Sequence, residues 1–219
     1  MRELLPLFLD LRGRRVVLVG AGPVGASKLT QLLAVGADVR VVAPQVHPGV
    51  RASGVPVAER PFDPSDLDDA WLVVAAATPE VNRAVAQAAE ARRVFVNAVD
   101  DPPNATAYLG GVVRRGGVTV AISTSGEAPA LAGLLREAID DVLPSELDAW
   151  MDTARDTRID WRRRGVPMEE RRPLLLAALN RLYGSRGDAG ARDRATAEGQ
   201  PREGAEAEGV TVASAVRQR

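Results

Sequence analysis

Three glycines at fixed spacing, in Gly20-Ala21-Gly22-Pro23-Val24-Gly25, carry the clearest chemistry of this chain. They follow the apolar, β-branched run "RRVVLVG" and open the helically spaced "PVGASKLTQLLAVG". A G-x-G-x-x-G between strand and helix is the dinucleotide fingerprint. Gly20 permits the tight turn, Gly22 lets the backbone approach a pyrophosphate, and Gly25 lets the helix pack closely on the strand. The helix N-terminus, entered through Pro23 and Val24, presents free N–H groups and a positive dipole end to phosphates. The carboxylate that usually ends the second strand and meets the ribose of NAD is missing, since that strand ends Ala43-Pro44-Gln45. Arg40 lies inside the strand, not where it would greet a 2′-phosphate. These residues leave NAD and NADP both open.

A second group ends the run "VFVNAVDDPP", where Asp100 and Asp101 precede Pro102 and Pro103. Ligands of open α/β sheets bind beyond the carboxyl ends of the strands. Asp100 is therefore placed to exchange a proton while a hydride moves. The competing reading, equally weighted, is a turn cap, an ordinary task for Asp. Adjacent residues point different ways, so at most one of the two reaches a site. A third group is "ISTSGEAPAL", a strand-to-helix junction. Thr124 and Glu127 have capping-box spacing. The hydroxyls and free N–H groups of Ser123, Thr124, Ser125 and Gly126 suit a substrate carboxylate.

Other chemistries are excluded by inventory. The chain has no cysteine, so disulfides, thiolate metal sites and a Cys nucleophile are out. Its one histidine, His47, sits in a proline-flanked loop and cannot build a multi-His metal site. Net charge is −1, with no basic excess to attract nucleic acid. Lys28 is the single lysine among 28 basic residues, so arginine density reflects composition more than function. No apolar run reaches the ~20 residues that span a bilayer, and the N-terminus lacks a signal-peptide pattern. A cytoplasmic protein is the expectation.

The elements that must hold these residues alternate. Strands are expected at Arg14 to Gly20, Asp38 to Pro44, Val55 to Arg60, Trp71 to Thr78 and Val94 to Asp100. Helices follow Gly22 and Thr78, the latter an N-cap before Pro79. Apolar strands alternating with helices predict a parallel sheet covered on both faces, an α/β fold of Rossmann type. From Thr106 the pattern changes to a hairpin turning at "RRGG", an amphipathic helix ending at Pro144, and two further helical segments. From Ser185 the composition collapses to Ala, Gly, Arg and Glu, a tail expected to be disordered. The expected domains are therefore residues 1–106, 107–144 and 145–184, then the tail 185–219.

"LPLFLDLRGRRVVLVGAGPVG", "VNAVDDPP" and "VAISTSGEAPALA" together resemble the precorrin-2 dehydrogenase/sirohydrochlorin ferrochelatase module of siroheme synthases. The resemblance covers Leu5 to about Pro144 and continues loosely to Tyr183. It implies a Rossmann domain, a strand–helix dimerisation segment and a small helical domain, working as a homodimer. It implies NAD-dependent oxidation of precorrin-2 to sirohydrochlorin and, in bifunctional members, insertion of Fe²⁺ as a substrate ion. The family's acidic residue falls on Asp100, which would also touch the metal transiently. Cofactor contacts fall on Gly20, Gly22, Pro23, Val24, Gly25, Ala43, Pro44 and Thr78. The tetrapyrrole would meet Ser123, Thr124, Ser125, Gly126 and Arg114, with Arg115 and Arg136 as further anchors for its carboxylates. The chain departs from the family at Tyr108-Leu109-Gly110-Gly111, where a Phe-x-x-Pro pattern is usual, and at Ala26-Ser27. Two alternatives stand beside this reading: a dehydrogenase without chelatase activity, and a non-catalytic NAD(H)-sensing module.

Overall fold

The computed structural model describes residues 3–195, with side chains to residue 183. Five parallel strands form one sheet: β1 (Arg15–Ala21), β2 (Asp38–Val46), β3 (Val57–Ala58), β4 (Leu72–Ala75) and β5 (Phe95–Ala98). Their order is β3-β2-β1-β4-β5, so the chain reverses direction across the sheet between β1 and β4. That gap is the switch point where open α/β sheets receive ligands.

β1 and β4 are buried almost throughout, which is why both read as unbroken apolar runs. Helix α1 (Pro23–Ala34) covers one face through Gly25, Leu29 and Leu32. Helix α3 (Pro79–Arg92) covers the other through Val85, Ala88 and Ala89. Leu18, fully buried under α1, belongs to the first of these cores. Leu18→Ala is expected to cost about 3 kcal/mol in urea unfolding, because a packed interior relaxes only partly around the lost volume.

Two strand ends differ from expectation for local reasons. β3 shrinks to Val57–Ala58 because Pro56 has no N–H to give, although its carbonyl still accepts from Val41 N at 2.9 Å. β2 continues past Pro44 to Val46, with a break in register opposite Ala21. His47 then caps the five-residue helix α2 (Pro48–Ala52), its Nδ1 accepting from Gly49 N at 3.1 Å.

β6 (Gly111–Arg115) and β7 (Val118–Ile122) form the expected hairpin. Gly116 and Gly117 both have positive φ (56° and 75°), the demand of a two-residue turn that matches strand twist. Three helices follow: α4 (Pro129–Val142), α5 (Leu147–Arg164) and α6 (Met168–Ala195). α6 runs past Ser185 to Ala195, so helix occupies the start of the compositionally biased tail; residues 196–219 lie outside the described part.

The chain divides into two units, but not sequentially. The first is Met1–Gly111 with Ile122–Leu134; the second is Val112–Ala121 with Leu135 onward. Residues 122–134 thus group with the unit that holds the sheet. Gly110 meets the Ile122 carbonyl so closely that no Cβ fits there. Within the second unit, Arg115 donates to Asp140 Oδ1 and to the Leu143 carbonyl, each at 2.7 Å. Trp150 donates its indole N–H to Tyr183 Oη at 3.2 Å, edge-on between the rings.

Candidate functional site

The fingerprint glycines serve different masters. Gly20 has φ +98°, and a Cβ there would collide with the Ala76 carbonyl just after β4. Gly25 is packed directly on the Gly20 carbonyl. These two hold the sheet and α1 together at the switch point. Gly22 is different. Its φ of −74° is ordinary, and a Cβ there would meet no atom within 4 Å. The protein itself makes no steric demand for glycine at that position, so the space beside it is available to a ligand.

Gly22 is also the N-cap of α1, with no side-chain cap and no acidic residue in the first turn. Ala26 N reaches back to the Gly22 carbonyl at 2.9 Å, which leaves the Val24 and Gly25 amides without an intrahelical acceptor. Pro23, at the first helical position, has no N–H to orphan. Free amides, a dipole end and open space beside Gly22 fit a dinucleotide pyrophosphate. The remaining expected contacts divide. Thr78 is the exposed N-cap of α3, its backbone placed as expected but its hydroxyl making no cap bond. Glu80 is held below the usual carboxylate range by its own backbone N–H and by the Thr78 hydroxyl. Pro44 is exposed, whereas Ala43 is buried in the core under α1. The end of β2 bears no carboxylate.

The two aspartates separate cleanly. Asp101 takes the turn role: its carboxylate accepts from Asn104 Nδ2 at 3.0 and 2.9 Å. Asp100 is exposed, has φ +55°, and its carboxylate accepts no hydrogen bond among the described residues. A non-glycine residue in the left-handed region is strained, although Asp tolerates it better than most.

The loop 123–128 lies against the same turn. A Cβ on Gly126 would sit 3.1 Å from Pro102 Cγ and 3.4 Å from Tyr108 Cε1. Tyr108 Oη in turn donates to the Pro102 carbonyl at 3.3 Å. The structure thus brings Gly126 against Pro102 and Tyr108, in the stretch that follows Asp100 and Asp101, within the first unit. The loop has its own strain, with Ser125 at φ +55° and Gly126 at φ +79°. The capping box expected of Thr124 and Glu127 does not form, because α4 starts only at Pro129. Instead Thr124 Oγ1 accepts from Ala128 N at 3.3 Å, and Ser123 Oγ accepts from Ser125 N at 3.1 Å. Two left-handed residues interpose a turn before the helix.

Arg114 is exposed on β6 in the second unit. Arg115 is engaged by Asp140 and Arg136 by Glu137 at 2.9 Å. Two residues escaped the sequence reading. Asn97, on β5, is buried; its Nδ2 donates to the Ala107 carbonyl at 3.0 Å, and its Oδ1 has no hydrogen-bond partner among the described residues. Lys28, on α1, is half-buried; burial pushes its pKa below the ordinary lysine value and the charge of Asp100 offsets part of that. Its signal in sequence was its singularity as a lysine, one turn beyond Gly25. Among the described residues no group of three or more His, Asp or Glu side chains is gathered to hold a metal, and no helix is long and apolar enough to cross a membrane.

The fold and the cradle at β1 and β4 define a Rossmann-type nucleotide-binding protein. Residues 7–111 match a family described as putative NAD(P)-binding, and residues 115–141 match the sirohaem biosynthesis protein central family. Siroheme synthase of Sodalis glossinidius is 38% identical over 188 residues, covering 84% of this chain and 40% of that protein. Siroheme synthase 1 of Cronobacter sakazakii is 42% identical over 157 residues, covering 69% of this chain and 33% of that protein. A solved structure described as SirC, precorrin-2 dehydrogenase shares the fold, with TM-score 0.61 and 24% identity over 78% of this chain and 87% of that one. The chain belongs to the family of the siroheme synthase N-terminal module. It spans about 40% of the length of the first of these siroheme synthases.

Proposed function

We propose that this protein oxidises precorrin-2 to sirohydrochlorin with NAD. The observation that carries the reading is that one unit holds both a dinucleotide cradle at Gly20–Gly25 and an exposed carboxylate, at Asp100, that no described residue hydrogen-bonds. When bound, the dinucleotide supplies a hydride acceptor. The Val24 and Gly25 amides and the open face of Gly22 hold its pyrophosphate. The ring carbons of the substrate lose one hydride and one proton, and Asp100 accepts the proton. A carboxylate needs position more than an extreme pKa for that task. The hydroxyls of Ser123, Thr124 and Ser125 line the same edge and orient the substrate's carboxylates.

The test is anaerobic incubation of precorrin-2 with the protein and NAD, then with NADP, following NADH or NADPH and the sirohydrochlorin spectrum. Sirohydrochlorin formed together with reduced nucleotide supports the reading; no oxidation with either cofactor removes it in favour of a nucleotide-sensing module. Fe²⁺ added afterwards separates the two enzymatic readings. Conversion to siroheme faster than the metal-only control adds chelatase activity, and an equal rate leaves a dehydrogenase alone.

We also propose that the chain works as a homodimer. Leu131, Leu134, Leu135 and Val142 are exposed on α4, an apolar stripe that no described residue covers. Leu134→Glu is expected to shift the mass seen by light scattering from dimer to monomer. An unchanged mass would discard this face as the interface.

A further inference from the structure

We propose that Asn82 is a positioning residue for the dinucleotide: its buried amide fixes the strand-to-helix rim Ala76–Thr78 against the glycine turn and so sets the cleft at the switch point. The inference rests on the nucleotide half of the function proposed above and not on the oxidation.

The backbone after β4 runs out of strand partners where the cleft begins. Ala76 N still donates to the Val19 carbonyl of β1 at 2.8 Å. One residue later the ladder has ended, since Val19 with Ala75 is its last register pair. Ala77 is half-buried, and a half-buried backbone N–H needs an acceptor. Thr78, the N-cap of α3, makes no side-chain cap bond, and Pro79 has no N–H. Asn82, four residues beyond that cap, reaches back instead. Its Oδ1 accepts from Ala77 N at 3.2 Å, while its own N–H donates to the Thr78 carbonyl at 2.9 Å.

The rim that Asn82 holds is pressed on the fingerprint. A Cβ at Gly20 would collide with the Ala76 carbonyl oxygen and lie 3.1 Å from Ala77 N. The amide bonded by Asn82 is therefore the one beside the tight turn of the nucleotide motif. Packing alone does not call for an amide at this place. Asn82 is 3% exposed, and an apolar side chain would fill the space without stripping water from a polar group. Its Nδ2 makes no hydrogen bond among the described residues, so the side chain gives up hydration for its one bond to Ala77. A rim fixed before the ligand arrives spares binding the cost of ordering a loop. Without the acceptor, Ala77 N–H turns to water, the rim moves off Gly20, and the dinucleotide must order it again.

Asn82→Ala and Asn82→Asp test this in the full chain, by calorimetric titration with NAD and, separately, NADP, beside thermal melting. Asn82→Ala should bind the nucleotide about tenfold more weakly, with its affinity for sirohydrochlorin unchanged. Its melting should fall by roughly 2–10 °C whatever the role of the residue, because Ala77 N–H loses its acceptor. The titrations, and not the melt, carry the decision. Asn82→Asp keeps an acceptor near the N-terminus of α3, where a carboxylate is favoured, and should recover most of the lost affinity. Wild-type nucleotide affinity in Asn82→Ala, an equal loss in both variants, or an equal loss for sirohydrochlorin overturns the proposal. Should neither variant fold, hydrogen exchange of the Ala77 amide in the free wild-type protein decides. Protection there supports a preset rim, and exchange at the rate of an unstructured peptide overturns it. Wild type that binds a nucleotide yet leaves precorrin-2 unoxidised, with the loss in Asn82→Ala as expected, keeps the proposal and removes the dehydrogenase reading. Wild type that binds neither nucleotide overturns both.

Discussion

Asp100→Asn is expected to slow precorrin-2 oxidation by about 10²- to 10⁴-fold, the usual contribution of a positioned general base, with NAD binding and thermal melting unchanged. Asparagine is the right probe because it keeps the size of the side chain and tolerates the left-handed backbone that Asp100 adopts at φ +55°. Alanine there would confound lost chemistry with backbone strain. Among the described residues no group hydrogen-bonds the Asp100 carboxylate, so its loss orphans no buried donor there. The paired control is Asp101→Asn. Asp101 is tied to Asn104 in the turn, so that change should perturb melting slightly and turnover little. Wild-type turnover in Asp100→Asn, or an equal loss in both variants, would return Asp100 to the role of a turn residue.

Gly20→Ala and Gly22→Ala are expected to part company although both alter the same motif. Gly20→Ala drives a Cβ into the Ala76 carbonyl at a φ of +98°. Both effects act on the folded state, and together they should cost about 2–4 kcal/mol, lowering Tm by roughly 5–15 °C. Gly22→Ala meets nothing in the protein and keeps an ordinary φ of −74°. Its melting should stay within about 2 °C of wild type, because removing glycine there relieves unfolded-chain entropy without strain. Its NAD affinity should nevertheless fall by about tenfold or more, because the methyl group occupies the approach of the pyrophosphate. Calorimetric titration with NAD beside a melting curve reads both. Unchanged NAD affinity in a folded Gly22→Ala protein would mean that the cofactor does not pass over this turn.

Much of this molecule is legible without coordinates because its signals are local. Strand β1, the glycine turn and α1 follow from β-branched residues, a fingerprint and helical spacing within twenty-odd neighbouring positions. The hairpin at Gly116-Gly117 follows from the turn's demand for positive φ. Pro79 after Thr78 and the burial of β4 were equally readable. Boundaries failed where a longer-range partner decided them. β3 depends on which of its residues can donate to β2, and α4 begins late because two left-handed residues separate Thr124 from the helix.

The sequence by itself determined a parallel α/β sheet, a nucleotide-binding turn at its first strand, and Asp100 or Asp101 at the tip of its last. Local rules alone do not separate those aspartates; the family resemblance points to Asp100, and in space Asp101 is the one that Asn104 Nδ2 bonds in the turn. Nor could the sequence bring Gly126 against Pro102 and Tyr108. Those contacts join residues many positions apart. They arise from the return of the chain after the hairpin, where packing acts across space and not along the chain.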